Sequence, residues 1–273
     1  MAHNGNTRRF GTLALWALLV APLLALPGRA EAQRGFKQKD CLECHTAFAK
    51  KYAGVKVQHS AVREKKCDAC HLRHGIVPAL VLKKNGNALC YECHKQAAIG
   101  MDKKNVHAVL ESGKCTTCHD PHGSNARKML KGEGAEACFG CHEREGFQRK
   151  NVHAVVAKEG CGACHAAHAS DQPNLLVAPE TTLCTKCHSA SAGGFKKAHG
   201  DYPVASQGCS TCHDPHSADG LKLLRASLHD AIRNGACDSC HVAKTSSKPF
   251  AVTEKGAKLC MNCHEQGKLT AGG

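Results

Sequence analysis

The sequence predicts short α-helices and irregular loops wrapped around a row of bound groups, with little or no β-sheet. Three observations predict it. The 273 residues hold 20 cysteines and 20 histidines but only 11 Phe, Tyr and Trp together, too few large side chains for an ordinary core of this length. Twenty-six glycines and nine prolines interrupt nearly every apolar run. Every cysteine falls in one motif, C-x-x-C-H, which occurs ten times.

The chain opens with Arg8 and Arg9, an apolar run over 13–26 and the A-x-A site Ala30-Glu31-Ala32, which together predict a signal peptide over 1–32 that is cleaved on export. Fourteen apolar residues broken by Pro22 are too few for a span, which needs about 20. No cysteine at the cleavage site offers a lipid anchor. The mature chain, 33–273, is therefore expected in the periplasm, not integral to the membrane and with a possible association to the outer one.

The motifs supply cysteine pairs Cys41/Cys44, Cys67/Cys70, Cys90/Cys93, Cys115/Cys118, Cys138/Cys141, Cys161/Cys164, Cys184/Cys187, Cys209/Cys212, Cys237/Cys240 and Cys260/Cys263. The adjoining histidines are His45, His71, His94, His119, His142, His165, His188, His213, His241 and His264. Two thiols three positions apart lie about one helical turn from each other, so both can bond the two vinyl groups on one porphyrin edge while the next residue is offered to the iron. The expectation is ten covalently bound c-type haems with these histidines as proximal ligands. A zinc ribbon does not call for a histidine after every second cysteine, and a disulfide framework gives no reason for ten histidines at fixed positions.

The repeat has two kinds of half. In the first, H-x7-C-x-x-C-H-x-x-H, His59, His107 and His153 lead, and His74, His122 and His168 trail. His199 leads Cys209 by ten residues and His216 trails it; His229 leads Cys237 by eight, with Lys244 in the trailing place. The second half is a plain motif with Leu82, Leu130, Leu176 or Val252 eight positions before its first cysteine, residues expected to pack on haem faces or edges. Units are expected at 41–58 (half), 59–106, 107–152, 153–198, 199–228 (half) and 229–273, a duplicated module stacked along a line. Short helices are expected in 107–114, 153–160 and 223–234.

A leading or trailing histidine is the candidate distal ligand. His119 and His122 are three apart and project to the same side of a turn, so they cannot grip opposite faces of one porphyrin; His122 is free to reach another iron. The distal candidates are His59, His74, His107, His122, His153, His168, His199, His216 and His229. Nine cannot serve ten irons. If each plain motif takes its distal histidine from the repeat after it, the haem at Cys260, Cys263 and His264 is the one left five-coordinate or with a non-histidine ligand, for which Lys244, Met101 and Met129 are candidates.

Residues 33–273 carry 34 Lys and Arg against 22 Asp and Glu, a net +12. Ten haems add about −20 from propionates and about +10 from ferric centres, bringing the whole close to neutral. The lysines thus read as counter-charges, and without interleaved aromatics they do not form a nucleic-acid face.

The run GKCTTCHDPHG followed by EACFGCH resembles the doubled CXXCH-motif multihaem c-type cytochromes, and ten haems in an exported chain resemble the decahaem DmsE/MtrA type. That resemblance implies haem attachment at all ten motifs, bis-histidine ligation at most, and redox-partner proteins: periplasmic donor and acceptor cytochromes and an outer-membrane porin. The expected function is electron transfer along a stacked haem chain without a catalytic residue, since two imidazoles close both axial positions. The rival is reduction of a small nitrogen or sulfur oxyanion at the one open haem, although no motif ends in the lysine that marks multihaem nitrite reductases.

Overall fold

The computed structural model describes residues 39–74 and 79–265. The chain divides into two compact units, one ending at Cys44 and one beginning at His45. The described part of the first is a single helical turn, Cys41–Cys44, entered through an N–H···O bond from Leu42 to the Asp40 carboxylate at 2.8 Å. The expected signal peptide lies outside the described residues. No helix among them is long and apolar enough to cross a membrane.

The second unit is built of short pieces. Its longest helix, Thr46–Tyr52, has seven residues, and 3₁₀ turns and two-residue strands make up most of the rest. Fold class is as the sequence predicts: short helices and loops with very little sheet. Ala108–Ser112 and Ala154–Glu159 form where helices are expected. In 223–234 only Asp230–Arg233 is α-helical. Leu223 stands at φ 58° and Leu224 pairs with His213 in an antiparallel bridge, so the chain is extended where the apolar pattern suggests a helix.

Three small antiparallel pairs stitch successive repeats together. β1 (Val57–Gln58) pairs with β3 (Gly123–Ser124), β2 (Asn105–Val106) with β5 (Ala169–Ser170), and β4 (Asn151–Val152) with β6 (Ser217–Ala218). Each joins the residues before a leading histidine to those after the trailing histidine of the next repeat. At Gly123 the strands approach so closely that a Cβ would lie 2.7 Å from the Val57 carbonyl oxygen. Side chains complete the stitch: Asn105 donates to the carbonyls of Ser170 and Gln172, and Asn151 to those of Ala218, Asp219 and Gly220, at 3.0–3.2 Å.

A second recurring device folds the chain after each first-half motif back on its proximal histidine. His71 bridges Leu82, His119 bridges Leu130, His165 bridges Leu176, His213 bridges Leu224 and His241 bridges Val252, always eleven residues on. The leucines and valine expected on haem surfaces thus have a backbone role that belongs to the motif before them. Leu224 shows this best, because its unit has no second half.

The protein's own core is sparse. Among the described residues the buried apolar side chains are Tyr52, Ala126, Ala169, Tyr202 and Ala218. A chain this long normally buries most of its surface around a continuous apolar centre; here the elements instead surround rows of histidine.

Candidate functional site

Each motif is wound as a turn of helix. The histidine N–H bonds the carbonyl of the first cysteine at 2.9–3.1 Å in all nine motifs from Cys67 to His264. The thiols three positions apart therefore lie on one side of a turn.

Second-half thiols meet the next motif. Cys90 lies near Cys115, Cys138 near Cys161, and Cys184 near Cys209. Burial, and then the facing thiol, push the Cys90, Cys138 and Cys184 thiols up to about 11. Asn87 fastens the first of these junctions, its side-chain oxygen accepting from the Cys115 N–H at 2.8 Å; Glu180 fastens the last through the Ser210 N–H (2.7 Å) and hydroxyl (3.0 Å).

The two cysteines of most plain motifs differ in exposure. Cys44, Cys93, Cys141, Cys187 and Cys263, the second cysteine in each plain motif, are exposed, whereas Cys41, Cys90, Cys138 and Cys184 are half-buried; at the last motif Cys260 is exposed as well. The reason lies in the junctions. Cys90, Cys138 and Cys184 are covered by the motif that follows, while Cys93, Cys141 and Cys187 stand at the end of the turn, their N–H groups bonded back to the first cysteine's carbonyl at 3.1–3.2 Å. In the first-half motifs both cysteines are half-buried.

The imidazoles that follow are oriented from behind. Nδ1 of His119 donates to the Lys128 carbonyl, His165 to Asn174 and His213 to Lys222, each at 2.8 Å, and His241 to Phe250 at 3.0 Å. A proton fixed on Nδ1 leaves Nε2 as the free donor atom, and such a bond raises ligand basicity. The accepting carbonyl comes from an unusual turn. Lys128-Met129, Asn174-Leu175 and Lys222-Leu223 are all left-handed, at φ 53–58°, a conformation that costs a non-glycine residue about 1–2 kcal/mol. Its recurrence at three equivalent places marks it as part of the site.

Leading and trailing histidines are placed by the small sheets. The backbone N–H of His59 donates to the His122 carbonyl (3.1 Å), His107 to His168 (2.8 Å) and His153 to His216 (3.0 Å). One stitch therefore presents two imidazoles. Side chains brace them: Phe48 and Tyr52 pack on His122, Phe147 on His216 and Phe195 on His199, with ring centres 4.4–5.3 Å apart. Asp120 takes the Tyr52 hydroxyl at 2.9 Å and lies 3.7 Å from His122 Nδ1; Asp214 takes Arg149 at 2.9 Å and lies 3.6 Å from His216 Nδ1. No spacing in the sequence announces these aromatic and acidic braces, although DPH recurs at both acidic positions.

The histidines then face one another in pairs. His45 meets His74, His71 meets His122, His94 meets His59, His119 meets His168, and His142 meets His107. His165 meets His216, His188 meets His153, His213 meets His199, and His264 meets His229. Ring centres in the nine pairs are 5.7–6.2 Å apart. A metal–imidazole bond is about 2.0–2.1 Å, so two imidazoles on opposite sides of one metal have ring centres about 6 Å apart. The donor sets thus fit haem iron held between two imidazoles. Burial, foremost, holds His59, His71, His122, His168 and His216 below the usual histidine value, in the neutral form that metal ligation requires. Among the described residues no three His, Cys, Asp or Glu side chains converge as a closed zinc site would have them.

All 19 histidines after His3 are described, and 18 of them stand in these pairs. The one left over is His241. This corrects the expectation that the His264 haem is the odd one: the plain motifs from Cys90 onward face the leading histidine of their own repeat, not of the next, His45 alone facing the trailing His74, and His229 lies across from His264 with Nε2 atoms 3.5 Å apart. First-half motifs face the trailing histidine of the repeat that follows.

The fourth unit departs from that rule, and the structure explains why. His213 faces His199, while Lys244, in the trailing place of the fifth unit, donates to the Gly200 carbonyl (3.2 Å) and the Asp201 carboxylate (3.0 Å). Lys244 is thereby committed to the loop that carries His199. It is not a spare ligand.

A family model described as the doubled CXXCH motif matches residues 59–99, 107–147, 153–193, 202–228 and 229–269, more than half of the chain. None of the curated proteins matches it.

Proposed function

Because the chain belongs to the doubled CXXCH-motif family of multihaem c-type cytochromes, which carry electrons, we propose that it is a periplasmic decahaem cytochrome passing electrons along a row of closely spaced, mostly bis-histidine haems. When bound, the haems supply one-electron centres of low potential, since no methionine ligand raises it. The residues do the rest. Ten cysteine pairs hold the groups by thioether bonds; proximal histidines, locked through Nδ1, present Nε2; distal histidines close the second face and exclude substrates and water from nine of the irons.

The observation that carries this reading is the set of nine facing imidazole pairs. Continuity comes from the thiols. Cys90 lies near Cys70 and Cys115, Cys138 near Cys118 and Cys161, Cys184 near Cys164 and Cys209, and Cys237 near Cys212. With Cys164 near Cys187, attachment sites from Cys67 to Cys237 follow one another in chain order. Partners are redox proteins on either side of this row, donor and acceptor cytochromes and an outer-membrane porin.

Potentiometric titration of the purified holoprotein tests it. A broad curve lying mostly at negative potential is expected. A narrow transition at strongly positive potential would contradict low-potential bis-histidine ligation.

A further inference from the structure

We propose that the haem at Cys237, Cys240 and His241 has no second protein ligand and binds one small exogenous ligand, carbon monoxide when reduced and cyanide when oxidised. The inference rests on the haem content proposed above and goes beyond it by assigning a ligand site within an otherwise closed row.

Three observations point to this position. His241 is prepared as a proximal ligand like its counterparts: its N–H bonds Cys237 at 2.9 Å, its Nδ1 donates to the Phe250 carbonyl, and its backbone bridges Val252. The other histidines of the described chain face one another in nine pairs, and His229, nearest in sequence among the distal candidates, is taken up by His264. Among the described residues, two neighbouring side chains that could substitute are engaged. Lys244 is held by Asp201 and Gly200, and the Tyr202 hydroxyl donates to the Val242 carbonyl at 3.0 Å.

The histidine's own side is firmly held. The Phe250 ring packs edge-on to His241 at 5.8 Å and Tyr202 packs on Phe250 at 5.9 Å, which steadies the proximal side. An iron with one imidazole and no competing side chain binds diatomic π-acceptors in the ferrous state and cyanide in the ferric state; the bond formed is a coordinate bond and no electron leaves the centre.

The test is carbon monoxide titration of the dithionite-reduced holoprotein, with haem content measured by mass on the same sample. About one carbon monoxide per chain is expected, together with a high-spin signal in the electron paramagnetic resonance spectrum of the oxidised protein. The double variant Cys237→Ala/Cys240→Ala should lose one haem and all carbon monoxide binding, whereas Cys260→Ala/Cys263→Ala should lose one haem and keep it. If the first variant does not fold, His241→Gly replaces it: the iron–histidine stretching band of the reduced protein in resonance Raman disappears, and His264→Gly leaves that band in place. Ten haems with no carbon monoxide binding, or binding lost with Cys260 and Cys263 instead, overturns the assignment while leaving the electron-transfer reading intact. Fewer than the expected haems in the parent protein overturns that reading itself.

Discussion

Lys244 and His199 show how much one side chain decides. Each is irregular in the sequence, one as a lysine where a trailing histidine recurs, the other as a leading histidine at the wrong distance. In the structure each explains the other: Lys244 secures the Gly200-Asp201 turn, both residues at φ near +58°, and that turn follows directly on the histidine that faces His213. Lys244 and Asp201 are both substantially exposed, so their ion pair adds at most about 1 kcal/mol to stability, and its role is positional. Lys244→Ala should leave the haem count unchanged but let His199 swing away, converting part of one low-spin signal to high-spin in electron paramagnetic resonance. Spectra identical to the parent's would show that the turn holds without it. At this scale the sequence is legible where chemistry demands identity, in the ten pentapeptides and the nine remaining histidines. Which imidazole faces which is not, because facing is a tertiary relation: His229 and His264 are 35 residues apart and His71 and His122 are 51 apart, with no local signal linking either pair. The unequal exposure of Cys90 and Cys93, or of Cys138 and Cys141, is hidden for the same reason, since the covering motif lies further along the chain.

Among the elements, strands of two residues carry the assembly. They are too short to show an alternating pattern, so the sequence reveals no strand at Asn105–Val106 or Asn151–Val152; what it offers is the recurring NVHAV, read there as the start of a helix. That helix exists, and the asparagine before it reaches across to the next repeat. Asn151 makes three of these bonds, two of them to partly buried carbonyls, where removing a partner costs about 1–3 kcal/mol. Because β4 and β6 present His153 and His216 together, Asn151→Ala should loosen two distal ligands at once. Thermal unfolding should fall, and high-spin signal should grow at the His188 and His165 positions in parallel; an effect confined to one of them would contradict a shared stitch. The loop that returns to each first-half histidine was half legible. Counted back from the next cysteine, Leu82, Leu130, Leu176 and Val252 look like packing residues of the second half; counted forward from the histidine, Leu224 joins them and the common offset of eleven appears. The left-handed turns between are invisible to propensity, since Lys128, Asn174 and Lys222 have no side chain in common and the conformation is imposed by the carbonyl that the imidazole needs.

For the whole molecule, the scarcity of aromatic and buried apolar residues is the feature that sequence and structure share. Tyr52, Tyr202 and three alanines do not make a core for this length of chain, and backbone ordering costs about 1–2 kcal/mol per residue. On the proposed haem content, folding is expected to require the covalently held porphyrins, as small metal-bound domains require their ion. Small strand pairs join successive repeats, and the junctions at Asn87 and Glu180 bring the motif at Cys90 beside that at Cys115 and the motif at Cys184 beside that at Cys209. The most direct measurement of this account is the intact mass of the exported, purified chain under denaturing conditions, which removes anything held only by coordination and retains thioether-bound groups. The account predicts the mature polypeptide plus ten haems. A mass equal to the polypeptide alone would contradict it.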